Sequence, residues 1–108
     1  MQTIVQVICR GPGSLREAIS QDKKLDDYRL KLVHSKRQNR SPGWAKVKSS
    51  SGDPGALNFD WDASSKILTC RAVTKRKKKP YNVVGDFVAY LMARHEKRLV
   101  TIVVSRQK

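Results

Sequence analysis

Four stretches between residues 28 and 73 alternate apolar and polar side chains, and this pattern constrains the fold more than any other feature. They read YRLKLVH, GWAKVKS, LNFDWD and KILTCRAV. Successive side chains of an extended strand point to opposite faces, so alternation predicts strands with one buried face and one solvated face. Turn-forming residues separate the stretches, which predicts two antiparallel hairpins.

Matching the apolar faces of the two strands predicts the register of each hairpin. The first hairpin then closes with a wide loop around SKRQNRSPG, and the second with a four-residue turn, 63–66. The predicted pairs are Leu32 with Ala45, Leu30 with Val47, Phe59 with Cys70 and Trp61 with Leu68.

Two further apolar segments flank the hairpins. Residues 3–10, TIVQVICR, and the C-terminal RLVTIVVSR are rich in β-branched residues. Such runs are typical of strands that are buried on both faces. We therefore expect the C-terminal strand to lie in the centre of the sheet.

Two helices are predicted between these strands. Ser14 and Glu17 have the S-x-x-E spacing of a capping box and begin a short helix. Asn82 is the expected N-cap of a longer helix, whose apolar residues recur at helical spacing as far as His95. The order β-α-β-β-β-β-α-β predicts a single α+β domain over residues 1–108, with a largely antiparallel sheet and both helices packed on one face. The β-β-β-α part of this order resembles double-stranded RNA-binding domains, but an apolar strand follows the helix here, so no function is transferred.

The charge balance points to the kind of partner. The chain has 23 Lys and Arg against 9 Asp and Glu, a formal net charge of +14 at pH 7. Such an excess destabilises the folded state through self-repulsion, so a polyanionic partner is expected. Nucleic acid is the first candidate, and an acidic protein or an anionic membrane surface is the alternative.

Five of these cations are consecutive, residues 75–79, and directly precede the longer helix. A helix N-terminus carries partial positive charge, so each unpaired cation there is unfavourable by about 0.3–1 kcal/mol. A bound phosphate reverses that sign, because the lysines and the helix N–H groups then converge on an anion. The alternatives for this run are a solvated loop or a nuclear localisation signal.

The polar face of the first hairpin is the second part of the predicted binding surface. It carries cations beside Trp44, which the alternation assigns to solvent. An exposed aromatic ring stacks on a base at roughly 1–3 kcal/mol, and Tyr81 is a weaker candidate for the same role. An indole folded over the sheet edge is the alternative for Trp44. The predicted nucleic-acid-binding residues are Arg29, Lys31, Lys36, Arg37, Arg40, Trp44, Lys46, Lys48, Lys75, Arg76, Lys77, Lys78, Lys79 and Tyr81.

This surface predicts binding with weak sequence specificity. With roughly six to eight phosphate contacts on duplex DNA, the logarithm of the affinity should fall with the logarithm of salt concentration at a slope of about −5 to −7. The hairpin tip, residues 37–40, is the exception, because its Arg, Gln and Asn side chains are suited to reading base edges in a groove.

Two other functions are compatible with the sequence. The first is a protein-interaction or assembly subunit that binds an acidic partner. The second is a small metal-dependent nuclease, with Asp60 and Asp62 on one strand face joined by Asp86 or Glu96. A solvated sheet face with Asp62 at a turn is the preferred interpretation of these acids. His34 and His95 belong to no recognisable catalytic motif, so neither an enzymatic activity nor a cofactor is predicted.

Cysteine usage and the chain start indicate the expected location. Cys9 and Cys70 lie in apolar segments and are predicted to be buried free thiols, which fits a reducing compartment. The N-terminal segment lacks the pattern of a signal peptide, and no segment reaches the roughly 20 apolar residues of a membrane span. We expect a cytoplasmic or nucleoid-associated protein, or a nuclear one in a eukaryote. A free edge strand would also permit a homodimer.

Overall fold

The fold is built on one antiparallel sheet of six strands. The computed structural model describes residues 2–33, 45–75 and 77–107. The elements are β1 (Gln2–Cys9), α1 (Leu15–Ser20), β2 (Leu30–Val33), β3 (Ala45–Ser49), β4 (Ala56–Asp62), β5 (Ile67–Val73), α2 (Tyr81–Arg94) and β6 (Leu99–Gln107). Short 3-10 helices span Leu25–Tyr28 and Glu96–Arg98. The strand order across the sheet is β2-β3-β4-β5-β1-β6. The predicted α+β class and the predicted order of elements are confirmed.

Both helices pack on one face of this sheet. Leu15 and Ile19 of α1 and Phe87 of α2 are fully buried in a single cluster with inward side chains of the strands. The rings of Phe87 and Phe59 lie 5.3 Å apart across the boundary between helix and sheet. Burial of large apolar side chains is worth about 1.5–3 kcal/mol each, so this cluster fixes α2 on the sheet. The opposite face, which we call the open face, carries mostly polar side chains.

The register prediction is confirmed for the second hairpin and wrong by two residues for the first. Phe59 pairs with Cys70 and Trp61 with Leu68, as predicted. In the first hairpin the observed pairs are Leu32 with Val47 and Leu30 with Ser49. The strand begins only at Leu30, because Tyr28 ends a 3-10 helix and Arg29 adopts a left-handed conformation with φ of 61°. An even shift keeps the side chains of the paired residues 30–33 and 46–49 on their predicted faces.

The C-terminal strand β6 lies at an edge of the sheet, so its predicted central position is wrong. Among the described strands it pairs with β1 alone. Val100, Val103 and Val104 are 58%, 42% and 51% exposed. The composition of β6 is that of a buried strand, but within the described residues no strand covers its outer edge.

The two helix starts differ from the sequence expectation in detail. Ser14 Oγ accepts a hydrogen bond from the Glu17 N–H at 3.2 Å, as the capping box predicts. The Glu17 carboxylate bonds Arg16 and Gln21 instead of returning to Ser14. Asn82 is not the N-cap of α2, because the helix begins at Tyr81 behind Pro80.

The predicted state of the cysteines is confirmed. Cys9 and Cys70 are both free and buried. Burial raises the pKa of each thiol, so both are held in the unreactive protonated form. Among the described residues, no helix combines the length and the apolar character needed to cross a bilayer.

Candidate nucleic-acid interface

Residues 75–79, which we call the cationic loop, connect β5 to α2 and are fixed at both ends. At the first end, the Thr74 hydroxyl donates to the Lys78 carbonyl oxygen at 2.8 Å and closes a tight turn. At the second end, Pro80 is buried against Gly55. A Cβ atom on Gly55 would lie 3.0 Å from Pro80 Cβ, and its φ of +106° also favours glycine. The backbone therefore presents the lysines from a defined position.

The cationic loop forms one wall of a cavity of about 440 Å³, which we call the cationic cavity. The other walls come from the start of β1, the end of β5, the end of β6 and the first residue of α2. Lys77, Lys78 and Lys79 are exposed, and no acidic residue lies in the first turn of α2. The lining residues are Gln2, Thr3, Ala72, Val73, Thr74, Lys77, Lys78, Lys79, Pro80, Tyr81 and Arg106. The described residues that line the cavity are therefore cations and neutral side chains, with no carboxylate among them.

The sequence prediction missed Arg106 as a member of this site. The sequence predicts for this residue only a place in the C-terminal apolar strand. Arg106 pairs with Thr3 of β1, and Thr3 pairs with Ala72 of β5, so strand order carries this arginine to the cavity. No local signal in the sequence indicates this neighbourhood, since it depends on which strands lie side by side.

The open face of the sheet carries three further predicted cations, Lys31, Lys46 and Lys48. Lys31 and Lys48 are exposed and directly opposite each other on β2 and β3, whereas Lys46 is half-buried. Like charges in directly opposed positions destabilise a strand pair. An anion lying over both lysines would remove that repulsion.

One cross-strand row connects these lysines to the cavity. Lys31 pairs with Lys48, Lys48 with Ala56, and Ala56 with Val73, a residue that lines the cavity. Neighbouring strands are about 4.8 Å apart, so Lys48 stands roughly 10 Å from Val73 along this row. The cationic loop and the two lysines therefore occupy the same end of the sheet.

Arg29 does not belong to the open face, so its predicted position is wrong. Its guanidinium donates to both carboxylate oxygens of Asp86 on α2, with Nη2–Oδ1 at 2.8 Å and Nε–Oδ2 at 3.4 Å. The cause is the left-handed backbone at Arg29, which turns the side chain to the helix side of the sheet. Because its side chain is still 68% exposed, Arg29 remains within reach of a ligand on that side.

Several predicted residues lie outside the described part of the chain. They include the hairpin tip and Trp44, so the stacking role of that indole stays a prediction. Tyr81 is described, is 52% exposed, and lines the cationic cavity. The undescribed members of the predicted set are Lys36, Arg37, Arg40, Trp44 and Arg76.

Two of the four candidate nuclease acids, Asp62 and Asp86, have structural partners. Asp62 Oδ1 accepts from the backbone N–H of Ser64 at 3.0 Å and from its hydroxyl at 2.8 Å. Hydrogen bonds from Ser64 and Ser65 lower the pKa of Asp62, as expected of a residue that begins a turn. Asp86 lies on the helix side, paired with Arg29, and not beside Asp60. In the described ranges no three His, Cys, Asp or Glu side chains come together in a possible metal site.

A largely buried polar network lies at the C-terminal end of α2, and no motif in the sequence predicts it. The Tyr90 hydroxyl donates to Asp22 Oδ2 at 2.7 Å, and Arg94 donates to both oxygens of Asp22 at 3.2 and 3.3 Å. His95 Nε2 lies 2.8 Å from the Tyr90 oxygen and 3.5 Å from Asp22 Oδ2. The network joins the segment after α1 to the end of α2, and thus stabilises the packing of both helices.

The same network changes the expectation for His95. A cation is electrostatically favourable near a helix C-terminus. Burial nevertheless lowers the pKa of His95, and the opposing effect of Asp22 does not restore it. The neutral imidazole is therefore the favoured form at neutral pH.

Comparisons of the chain with protein families, with curated proteins and with solved structures found no match. We therefore infer the function from the geometry and charge of the site alone.

Proposed function

We propose that this protein binds nucleic acid with weak sequence specificity, through phosphate contacts. The observation that carries the proposal is the clustering of the cationic loop, Arg106 and the lysines of the open face at one end of the sheet. These groups come from three strands, β2, β3 and β6, and one loop, so folding brings together cations that lie far apart in the sequence. A polyanion with regularly spaced charges is the ligand that satisfies such a surface.

The start of α2 adds to this attraction. The first N–H group that is bonded within the helix is that of Val84, which donates to the Pro80 carbonyl at 3.0 Å. The N–H groups of the preceding helical residues are thus without helical acceptors, as at any helix N-terminus. They lie beside Lys79 and Tyr81, where a phosphate oxygen would be favourable.

The side chains at this end of the sheet favour weak sequence specificity. Lysine is a flexible point charge, and it lacks the planar fork with which arginine reads guanine. Arg29 is engaged by Asp86, and the other described cations near this end are lysines apart from Arg106 and Arg71, which is exposed on the open face two residues before Val73. Such a surface positions a phosphate backbone but distinguishes poorly between bases.

A gel-shift series tests the proposal directly. The protein is titrated into single- and double-stranded DNA and RNA of one sequence, at about 50 mM salt, with and without Mg²⁺. We expect the protein to shift the nucleic acid on the gel, and we expect the affinity to fall steeply as the salt concentration is raised. No shift at low salt overturns it, and an acidic protein then becomes the preferred partner. Cleavage that Asp60→Asn abolishes would support a nuclease instead.

The proposed partners include a second copy of the chain, paired through the outer edge of β6. Residues 99–105 of this strand carry no charge and expose three valines, whereas the other edge strand, β2, has four residues and exposes Lys31. Natural proteins usually protect a free edge with charges, short length or proline. Two antiparallel copies of β6 would pair their backbone groups and cover the valines.

Val103→Lys is expected to convert the dimer to a monomer, because it places like charges at the centre of the paired edges. The measurement is molar mass by light scattering at moderate salt. Val73→Lys is the matched control, since Val73 is also exposed, at 38%, but lies on β5 inside the sheet. A wild-type protein that remains monomeric at high concentration contradicts the dimer.

The proposal also includes the expected location. A nucleic-acid-binding protein of this kind would be found with DNA or RNA in the cytoplasm or nucleoid, or in the nucleus of a eukaryotic cell.

A further inference from the structure

Tyr81 separates two cavities of different chemistry. On one side lies the cationic cavity of about 440 Å³. On the other side lies a cleft of about 390 Å³, lined by Arg29, Asp53, Tyr81, Asn82, Gly85 and Asp86. Tyr81 is a lining residue of both, and it is 52% exposed although it begins a helix packed on the core.

The cleft presents hydrogen-bond acceptors that a phosphate would avoid. Asp53 Oδ1 accepts from the Asn82 amide at 3.4 Å, and Asp86 accepts from Arg29 at 2.8 Å. Each carboxylate can accept further hydrogen bonds, because an ionised carboxylate offers about four acceptor positions. One exposed guanidinium, that of Arg29, stands against two carboxylates in this cleft, so the cleft keeps an excess of negative charge. That excess disfavours an anion, whereas the exocyclic amino group of a base is attracted to a carboxylate.

We propose that these two cavities together bind one nucleotide of a single-stranded nucleic acid. Its phosphate and those of the neighbouring nucleotides lie among Lys77, Lys78 and Lys79, and its base stacks on the ring of Tyr81 with its polar edge toward Asp53 and Asn82. This inference rests on the proposed function and names its ligand class more closely. The charge difference between the two cavities fixes the direction in which the nucleotide lies.

A single strand fits this arrangement and a duplex does not. A base within a duplex is stacked on its neighbours and paired along its polar edge, so it has neither a free face for Tyr81 nor a free edge for Asp53. Unstacking that base requires a few kcal/mol, which a single strand largely avoids. Both cavities are within the range of about 300–1,000 Å³ that small-molecule sites occupy. Aromatic stacking beside a basic groove is a common mode of single-strand binding.

The test uses the full chain and a fluorescein-labelled 12-nucleotide strand of mixed sequence, alone and annealed to its complement. Dissociation constants are measured by anisotropy for wild type, Tyr81→Ala and Tyr81→Phe. We expect wild type to prefer the single strand, and Tyr81→Ala to weaken single-strand binding roughly 5- to 100-fold, as loss of one stacked base predicts. Duplex affinity should stay within about twofold, since phosphate contacts are unchanged. Tyr81→Phe keeps the ring and should keep the affinity.

Met92→Ala is the matched control, because Met92 is also exposed on α2, at 54%, but lies outside both cavities. Thermal unfolding of each variant shows whether the fold is retained. Equal effects of Tyr81→Ala on both ligands, or no effect on either, overturn the single-strand site and leave the proposed function standing. A wild-type protein that binds neither ligand at low salt overturns the proposed function itself.

Discussion

Replacing Lys77, Lys78 and Lys79 together with alanine is expected to weaken nucleic-acid binding by on the order of a hundredfold at about 0.1 M salt. The three side chains converge on one cavity, and each phosphate contact releases counterions from the nucleic acid. The slope of the logarithm of affinity against the logarithm of salt should flatten by about 2 to 3, at roughly 0.7–0.9 per contact. Anisotropy titrations at several salt concentrations measure both quantities.

The matched control replaces Lys23, Lys24 and Lys97 with alanine. These lysines are also exposed and their loss changes the net charge equally, but they lie at the other end of α2, near Asp22 and His95. If attraction came only from net charge, both triple variants would lose the same affinity. Equal losses would therefore contradict a localised site, and a much larger loss in the loop variant supports it.

Asp22→Asn is expected to lower the free energy of unfolding at pH 7 by roughly 2–3 kcal/mol. The side chain of Asp22 is 7% exposed. Burial raises its pKa, but hydrogen bonds from Arg94 and Tyr90 more than compensate and bring the pKa from 3.8 to about 2. An amide in its place keeps the shape, but removes the charge that Arg94 and Tyr90 contact. Urea unfolding measures the difference between the two proteins.

The same pKa shift predicts the pH dependence of that difference. Because the pKa of Asp22 is lower in the folded than in the unfolded chain, its contribution is fully present above about pH 4 and is lost as the pH falls toward 2. By pH 3 roughly half should be gone, so the difference between wild type and Asp22→Asn should be about halved there and should nearly vanish toward pH 2. Asp60→Asn, an exposed acid on the open face, should change stability by less than about 0.5 kcal/mol at either pH. A difference between wild type and Asp22→Asn that does not depend on pH would contradict the assigned role of the ionised Asp22.

The parts of the fold that the sequence predicts correctly are those encoded by local periodicity. The second hairpin follows from alternation on both strands and a short turn, so Phe59 and Cys70 are paired correctly. The first hairpin is misjudged because Tyr28 continues the polar–apolar alternation while its backbone belongs to a 3-10 helix. Alternation alone does not distinguish a strand from the residues that precede it.

The position of β6 and the composition of the site depend on contacts between distant parts of the chain. Apolar content predicts that β6 is a strand, but not which strands lie beside it. Arg106 reaches the cavity only because β1 lies between β5 and β6. Asp22 accepts a hydrogen bond from Tyr90, which is 68 residues away in the sequence. Neither residue belongs to a sequence motif that would predict this contact. The cationic loop, by contrast, is visible in the sequence because its five charges are consecutive.

The salt dependence of binding by the wild-type protein tests the central claim most directly. A labelled 12-nucleotide single strand is titrated between about 50 and 200 mM salt, with polyglutamate of matched charge as competitor. Contacts by Lys31, Lys48 and the four described lysines of the cationic loop predict a slope near −4, at about −0.7 per contact on a single strand. We expect that slope, together with weak competition by polyglutamate. Binding that is absent at 50 mM salt, or that polyglutamate displaces as well as nucleic acid does, would contradict a nucleic-acid site.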